Sequence, residues 1–173
     1  MGKERAAEIL QKYKNSQMVR RDGGINLSIH TFVDASKTAY AACIFLSESN
    51  TSSVTVQLLQ ARSRITPMKT ITIPRLELMA ATIGARLFSS VKPALKISNI
   101  KTYFWTDSST VLTWIIRREQ WSVFVANRIS EIRKLTTSED WFHISTDQNP
   151  AFYQEVVDLN NFRNASGGKG QIG

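Results

Sequence analysis

The chain has 173 residues, 42% of them hydrophobic and 9% aromatic, which suits one domain with its own core and excludes a disordered chain. Its 22 Lys and Arg against 14 Asp and Glu give a net charge of +8, so polyanionic partners are expected, nucleic acid ahead of a membrane surface. A lone cysteine, Cys43, in the apolar run "AYAACIFL" reads as a small core residue and excludes both a disulfide framework and a cysteine-rich zinc site.

Residues 1–24 read as a polar leader, charged and without the apolar core of a secretory signal. No run approaches the ~20 apolar residues that span a bilayer. A soluble intracellular protein with no membrane partner is expected, in cytoplasm or nucleus.

"INLSIHTFVDAS" then alternates, with Leu27, Ile29, Thr31 and Val33 on one face and Ser28, His30, Phe32 and Asp34 on the other, the pattern of a strand. "TAYAACIFLS" is a second, buried strand, "SESNTSS" a hairpin loop and "VTVQLLQARSR" a third strand, so the three form an antiparallel meander. The period then changes. Pro74 suits a first helical turn, and Leu76, Met79, Ala80, Ile83 and Leu87 follow at helical spacing, predicting an amphipathic helix over 74–90.

"KPALKIS" leads into a fourth strand, "NIKTYFWTD", after which Ser108 or Ser109 caps a short helix, "TVLTWII". "WSVFVANRISEIRKL" gives a third helix, "DWFHIS" a short fifth strand, and a last helix is predicted from about 150 to 160. "NASGGKGQIG" reads as a disordered tail. The order implies a mixed α/β sheet of five strands, three antiparallel and then strands alternating with helices, flanked by helices.

Three acids stand out. Asp34 ends the first strand, Asp107 ends the fourth, and Glu77 lies in the first turn of a helix between Leu76 and Leu78. Ligands gather at the carboxyl ends of strands in open α/β sheets. If the first and fourth strands are parallel neighbours, their terminal acids lie side by side, with Glu77 pointing into the same cleft. Clustered carboxylates repel and require protonation or a cation. Oxygen ligands without a Cys or His cluster favour Mg²⁺ or Mn²⁺ over zinc. Position alone also fits a plainer reading, in which the two Asp are caps or turn residues and Glu77 complements the helix dipole.

The wording of five stretches goes further. "FVDASKTAYAACIFL", "ITIPRLELMAA", "FWTDSSTVLTWI", "FVANRISEI" and "HISTDQNPA", in that order, resemble the ribonuclease H domain of BEL/Pao-type retrotransposon polyproteins. The resemblance covers about residues 26–151, within a domain expected over 25–160 ahead of a tail at 161–173. It implies the ribonuclease H-like fold, two Mg²⁺ or Mn²⁺ ions, and hydrolysis of the RNA strand of an RNA–DNA hybrid that leaves a 3′-hydroxyl and a 5′-phosphate. It also makes Asp34, Glu77 and Asp107 the first three of four catalytic, metal-binding carboxylates. The parent polyprotein's reverse transcriptase and integrase are absent from this chain.

The fourth acid is missing: the family's "NPAD" reads "NPAF" here, with Phe152 in the acid's place. Glu155, one helical turn on, is the candidate replacement ligand. The resulting alternative is a catalytically dead remnant that still binds nucleic acid, with Phe152 separating the two readings. A relative of the same fold that cuts DNA duplexes is a third reading, disfavoured by "PRLEL" and "FVANR". Lys37, Arg75, Asn127 and Arg128 are candidate substrate contacts, and His30 and His143 read as structural strand residues.

Overall fold

A computed structural model describes residues 7–8, 24–50, 52–66, 71–97 and 100–152. The elements, in order, are β1 (Asn26–Ala35), β2 (Ala39–Ser49), β3 (Val54–Ile65), α1 (Ile73–Leu95), β4 (Lys101–Thr106), α2 (Ser109–Ile116), α3 (Val123–Leu135) and β5 (Trp141–His143). The strands form one five-stranded sheet in the order β3-β2-β1-β4-β5. The first three are antiparallel neighbours, whereas β1–β4 and β4–β5 are parallel, so the predicted mixed sheet is found. The last helix predicted from about 150 to 160 lies outside the described residues beyond Phe152, as does the tail at 161–173.

Short polar connections set the meander. Ser36 Oγ accepts from the backbone of Thr38 (3.2 Å) and Ala39 (3.3 Å), tightening the β1–β2 turn. Asn50 Oδ1 accepts from the backbone N–H of Ser52 (2.9 Å) and Ser53 (2.8 Å), the local bonding that makes Asn a turn residue. Between Ile44 and Phe45 the partner on β3 jumps from Gln60 to Leu58, a bulge at Leu59 that bends the edge strand.

The alternation of β1 divides the core. On one face Ile29 and Val33 pack with Ile44 and Phe104 beneath the apolar stripes of α1, α2 and α3. The other face holds Phe32, Cys43, Phe45, Trp105 and Ile144, with Ala7 packed against them. His30 belongs to this second face: Trp105 Nε1 donates to His30 Nδ1 at 3.1 Å, and the imidazole stacks on Tyr103 with ring centroids 4.7 Å apart. Burial lowers its pKa to about 3, so it is a neutral, structural histidine.

α1 outruns the predicted helix at its C-terminal end. It passes through Pro93 to Leu95 and stops at Lys96, whose φ of 50° is left-handed. Pro93 sits in the last turn, where its missing N–H forfeits the bond to the carbonyl of Ser89, an exposed residue. On the sheet side, Gly84 lets α1 rest on β1, since a Cβ there would stand 2.5 Å from Val33 Cγ1. The arginine side chain of Arg86 pairs with Glu131 through two bonds (2.6 and 2.9 Å), tying α1 to α3 at the surface. Among the described residues, no helix is long and apolar enough to cross a membrane.

Candidate active site

Parallel pairing of β1 with β4 runs to Val33↔Thr106, so Asp34 and Asp107 are the next residues on adjacent strands, whose axes lie roughly 4.8 Å apart. Both sit at carboxyl ends, where the sheet stops and the connections turn away. Asp34 is buried, and its Oδ1 accepts from the N–H of Ala35 at 2.9 Å. Strand alternation directs it to the Phe32 side of the sheet. Burial and the Asp34 charge together push the Cys43 thiol far above its ordinary pKa, which makes it an inert core residue.

Asp107 is held from the other end of the chain. Thr146 Oγ1 donates to its Oδ2 at 2.8 Å. His143 Nε2 lies 3.2 Å from its carbonyl oxygen, an acceptor only, so that nitrogen carries the proton. Ser108 then caps α2, its Oγ accepting from Val111 N at 3.2 Å. Glu77, the fifth residue of α1 and so one turn further in than expected, because the helix begins at Ile73, comes down onto this corner half-buried between the fully buried Leu76 and Leu78. Its carboxyl pKa is raised by burial, lowered in part by the Ser108 hydroxyl that bonds it, and raised again by the charge of Asp107.

Glu77 and Asp107 are therefore neighbouring carboxylates whose charges oppose each other, the situation that a cation relieves. Their donors are all hard oxygens, and that chemistry fits Mg²⁺ or Mn²⁺. Asp34 stands one strand away and faces the side of the sheet opposite α1. Among the described residues no three His, Cys, Asp or Glu side chains are grouped to share one ion.

The segment after β5 returns to this end of the sheet. Asn149, 1% exposed, donates from Nδ2 to the Val33 carbonyl at 2.8 Å, and its Oδ1 accepts from Ala151 N at 3.1 Å. Phe152 follows as an exposed apolar side chain (45%). Glu155 lies outside the described residues.

Of the candidate substrate contacts, Arg75 and Arg128 are brought together across two helices. Their guanidinium carbons lie 4.9 and 3.6 Å from the centroid of the Phe124 ring, and Arg128 also donates to the Phe124 carbonyl at 3.2 Å. Lys37, in the β1–β2 turn, and Asn127, on α3, are exposed. Sequence reasoning missed Thr146, Asn149 and Phe124. Only the amide of Asn149, just before Pro150, offered a sequence signal of a turn-holding residue.

The fold is that of ribonucleases H. Two solved structures resemble it: RNase H1 from the halophilic archaeon Halobacterium salinarum NRC-1 and LC11-RNase H1, isolated from compost by a metagenomic approach. The first aligns at 11% identity and a TM-score of 0.50, over 79% of this chain and 98% of that one. The second aligns at 13% identity and a TM-score of 0.51, over 79% and 96%. A search of curated proteins returned no match. The model of the Pao retrotransposon-like RNaseH-like domain matches residues 4–108, a span that begins inside the polar leader and contains Asp34, Glu77 and Asp107. With that match over more than half its length and the acid-ended sheet described above, the chain belongs to the Pao retrotransposon-like RNaseH-like domain family.

Proposed function

We propose that this domain hydrolyses the RNA strand of RNA–DNA hybrids with Mg²⁺ or Mn²⁺, and that Asp34, Glu77 and Asp107 are its catalytic carboxylates. The observation that carries the reading is the juxtaposition of Glu77 with Asp107 at the end of parallel strands, level with Asp34 on the neighbouring strand. Glu77 and Asp107 would hold a divalent ion there, which would supply positive charge for the scissile phosphate and for acidifying a water. The protein's share is to hold the carboxylates oriented: Ser108 bonds Glu77, and Thr146 donates to Asp107. The net charge of +8 and the Arg75–Phe124–Arg128 stack, on the helices beside Glu77, support a polyanionic substrate.

A second reading, a nucleic-acid-binding remnant without turnover, is favoured by Phe152. In the family that position is the fourth acid, and here an exposed ring occupies it. Losing that carboxylate weakens the second of two ions most, since the other three acids serve the first. Glu155 is the residue available to replace it.

The test is cleavage of an end-labelled RNA–DNA hybrid in Mg²⁺ by the native chain, Asp107→Asn and Phe152→Asp. Native cleavage that Asp107→Asn abolishes supports the enzyme. A silent native chain beside an active Phe152→Asp means a nuclease disarmed at one position. Three silent proteins that bind the hybrid in a salt-dependent way sink the enzyme reading and leave the binding module.

A further inference from the structure

The stretch from Ile144 to Asn149 fastens the two acid-bearing strands to each other. Ile144 N donates to the Thr106 carbonyl at 2.9 Å, the residue before Asp107. Asn149 donates at 2.8 Å to the carbonyl of Val33, the residue before Asp34. Between these anchors, Thr146 reaches the Asp107 carboxylate itself, 39 positions away in sequence.

This arrangement has a chemical consequence. Asp107 and Glu77 repel, and nothing in the covalent structure stops the Asp107 carboxylate from turning away about its side-chain torsions. A hydroxyl donating to Oδ2 opposes that rotation and leaves the carboxylate with lone pairs for another partner. The donor is also neutral. A lysine or arginine in its place would discharge Asp107 and compete with any cation. Thr146 sits on an exposed turn, anchored at Ile144 on one side and at the buried Asn149 on the other, so its side chain contributes to the site without contributing to the core.

We propose that Thr146 is a positioning residue, which fixes the Asp107 carboxylate for binding a divalent cation together with Glu77. The proposal rests on the function advanced above. Partners of this kind, one bond removed from a metal, typically change affinity by about 10–100-fold when removed.

Mn²⁺ titration followed by electron paramagnetic resonance tests it on the full chain as native protein, Thr146→Val and Thr146→Ser. Thr146→Val should bind Mn²⁺ about 10–100-fold more weakly, Thr146→Ser should bind as the native chain does, and metal-free thermal midpoints should coincide. Native-like binding by Thr146→Val, failure of Thr146→Ser to restore affinity, or a fall in metal-free stability that accounts for the loss would each overturn the proposal while leaving the proposed function intact. A native chain that binds no Mn²⁺ would remove the metal centre itself, and this role with it.

Discussion

Gly84→Ala tests how α1 is seated, and with it how Glu77 reaches Asp107. In an exposed helix the change would stabilise by about 1 kcal/mol, because alanine is the better helix former. Here the new methyl would stand 2.5 Å from Val33 Cγ1, 3.4 Å from Thr31 Cγ2 and 3.6 Å from the Ala42 Cβ. Carbon atoms pack at roughly 3.5–4.0 Å, so the first contact requires a movement of about 1 Å. Val33 is 1% exposed and β-branched on a central strand, so it has no free space to rotate into. Overpacking of this severity costs about 1–3 kcal/mol, and the value here belongs near the top of that range, leaving a net loss of about 2 kcal/mol after the propensity gain. Glu77 is seven residues earlier on the same face, about 10 Å along the axis, so a lifted α1 also draws its carboxyl from Asp107. Urea unfolding followed by circular dichroism measures the loss, with an unchanged m-value showing that it is stability that changed. Val33→Ala removes the colliding carbon, so the double variant should be more stable than the sum of the two single effects predicts, by about 1 kcal/mol. A Gly84→Ala chain as stable as the native, or an additive double variant, would refute the close seating of α1 on β1.

Two further outcomes follow from named contacts. Arg133 donates to the carbonyls of Ile115 (2.9 and 3.1 Å), Arg117 (2.8 Å) and Trp114 (3.4 Å), serving the C-terminal oxygens of α2, so Arg133→Met, which keeps the apolar stem, should cost about 1.5–3 kcal/mol in chemical denaturation; a change below a few tenths would mean that water serves those carbonyls equally well. Glu77 has a folded pKa above its ordinary 4.5, so the folded chain holds the proton longer and stability falls as pH rises through that interval. In EDTA, Glu77→Gln should therefore melt higher than the native chain at pH 7, with the gap closing below pH 4.5, and Mg²⁺ should raise only the native midpoint; a variant less stable at every pH contradicts the sign.

How much of this was legible in the sequence depends on the range of the interaction concerned. The alternation of β1 already put Asp34 on the side of His30 and Phe32, because a strand's period of two is local. That β4 lies parallel beside β1 could only be entered as a condition, since it depends on register between segments some seventy residues apart. α1 runs past the expected end at 90, through Pro93 to Leu95, where Val91 and Leu95 continue the apolar stripe of Leu87 against the core. Phe124 and Arg128 are one helical turn apart, but the arrival of Arg75 at the same ring is a product of α1 packing on α3. Thr146 and Asn149 were illegible for the same reason: their bonds reach Asp107 and Val33, 39 and 116 positions distant.

Those distant bonds bear on what Phe152 means. The segment that carries it is placed by Ile144 on β4 and by Asn149 on β1, through backbone carbonyls and a buried amide. None of these bonds uses the side chain at 152, so the chain reaches the acidic end of the sheet whether that residue is an acid or a ring. Losing a carboxylate there removes one like charge from a corner where Glu77 already feels Asp107. Under the proposed function it also removes a ligand. The first effect relieves the metal-free fold and the second weakens cation binding, which is why folding is expected to survive the change more readily than turnover. Phe152→Asp reverses both at once on a segment already in place, and a rise in Mg²⁺ affinity accompanied by lower metal-free stability is the signature that separates a disarmed nuclease from a domain with no metal centre to restore.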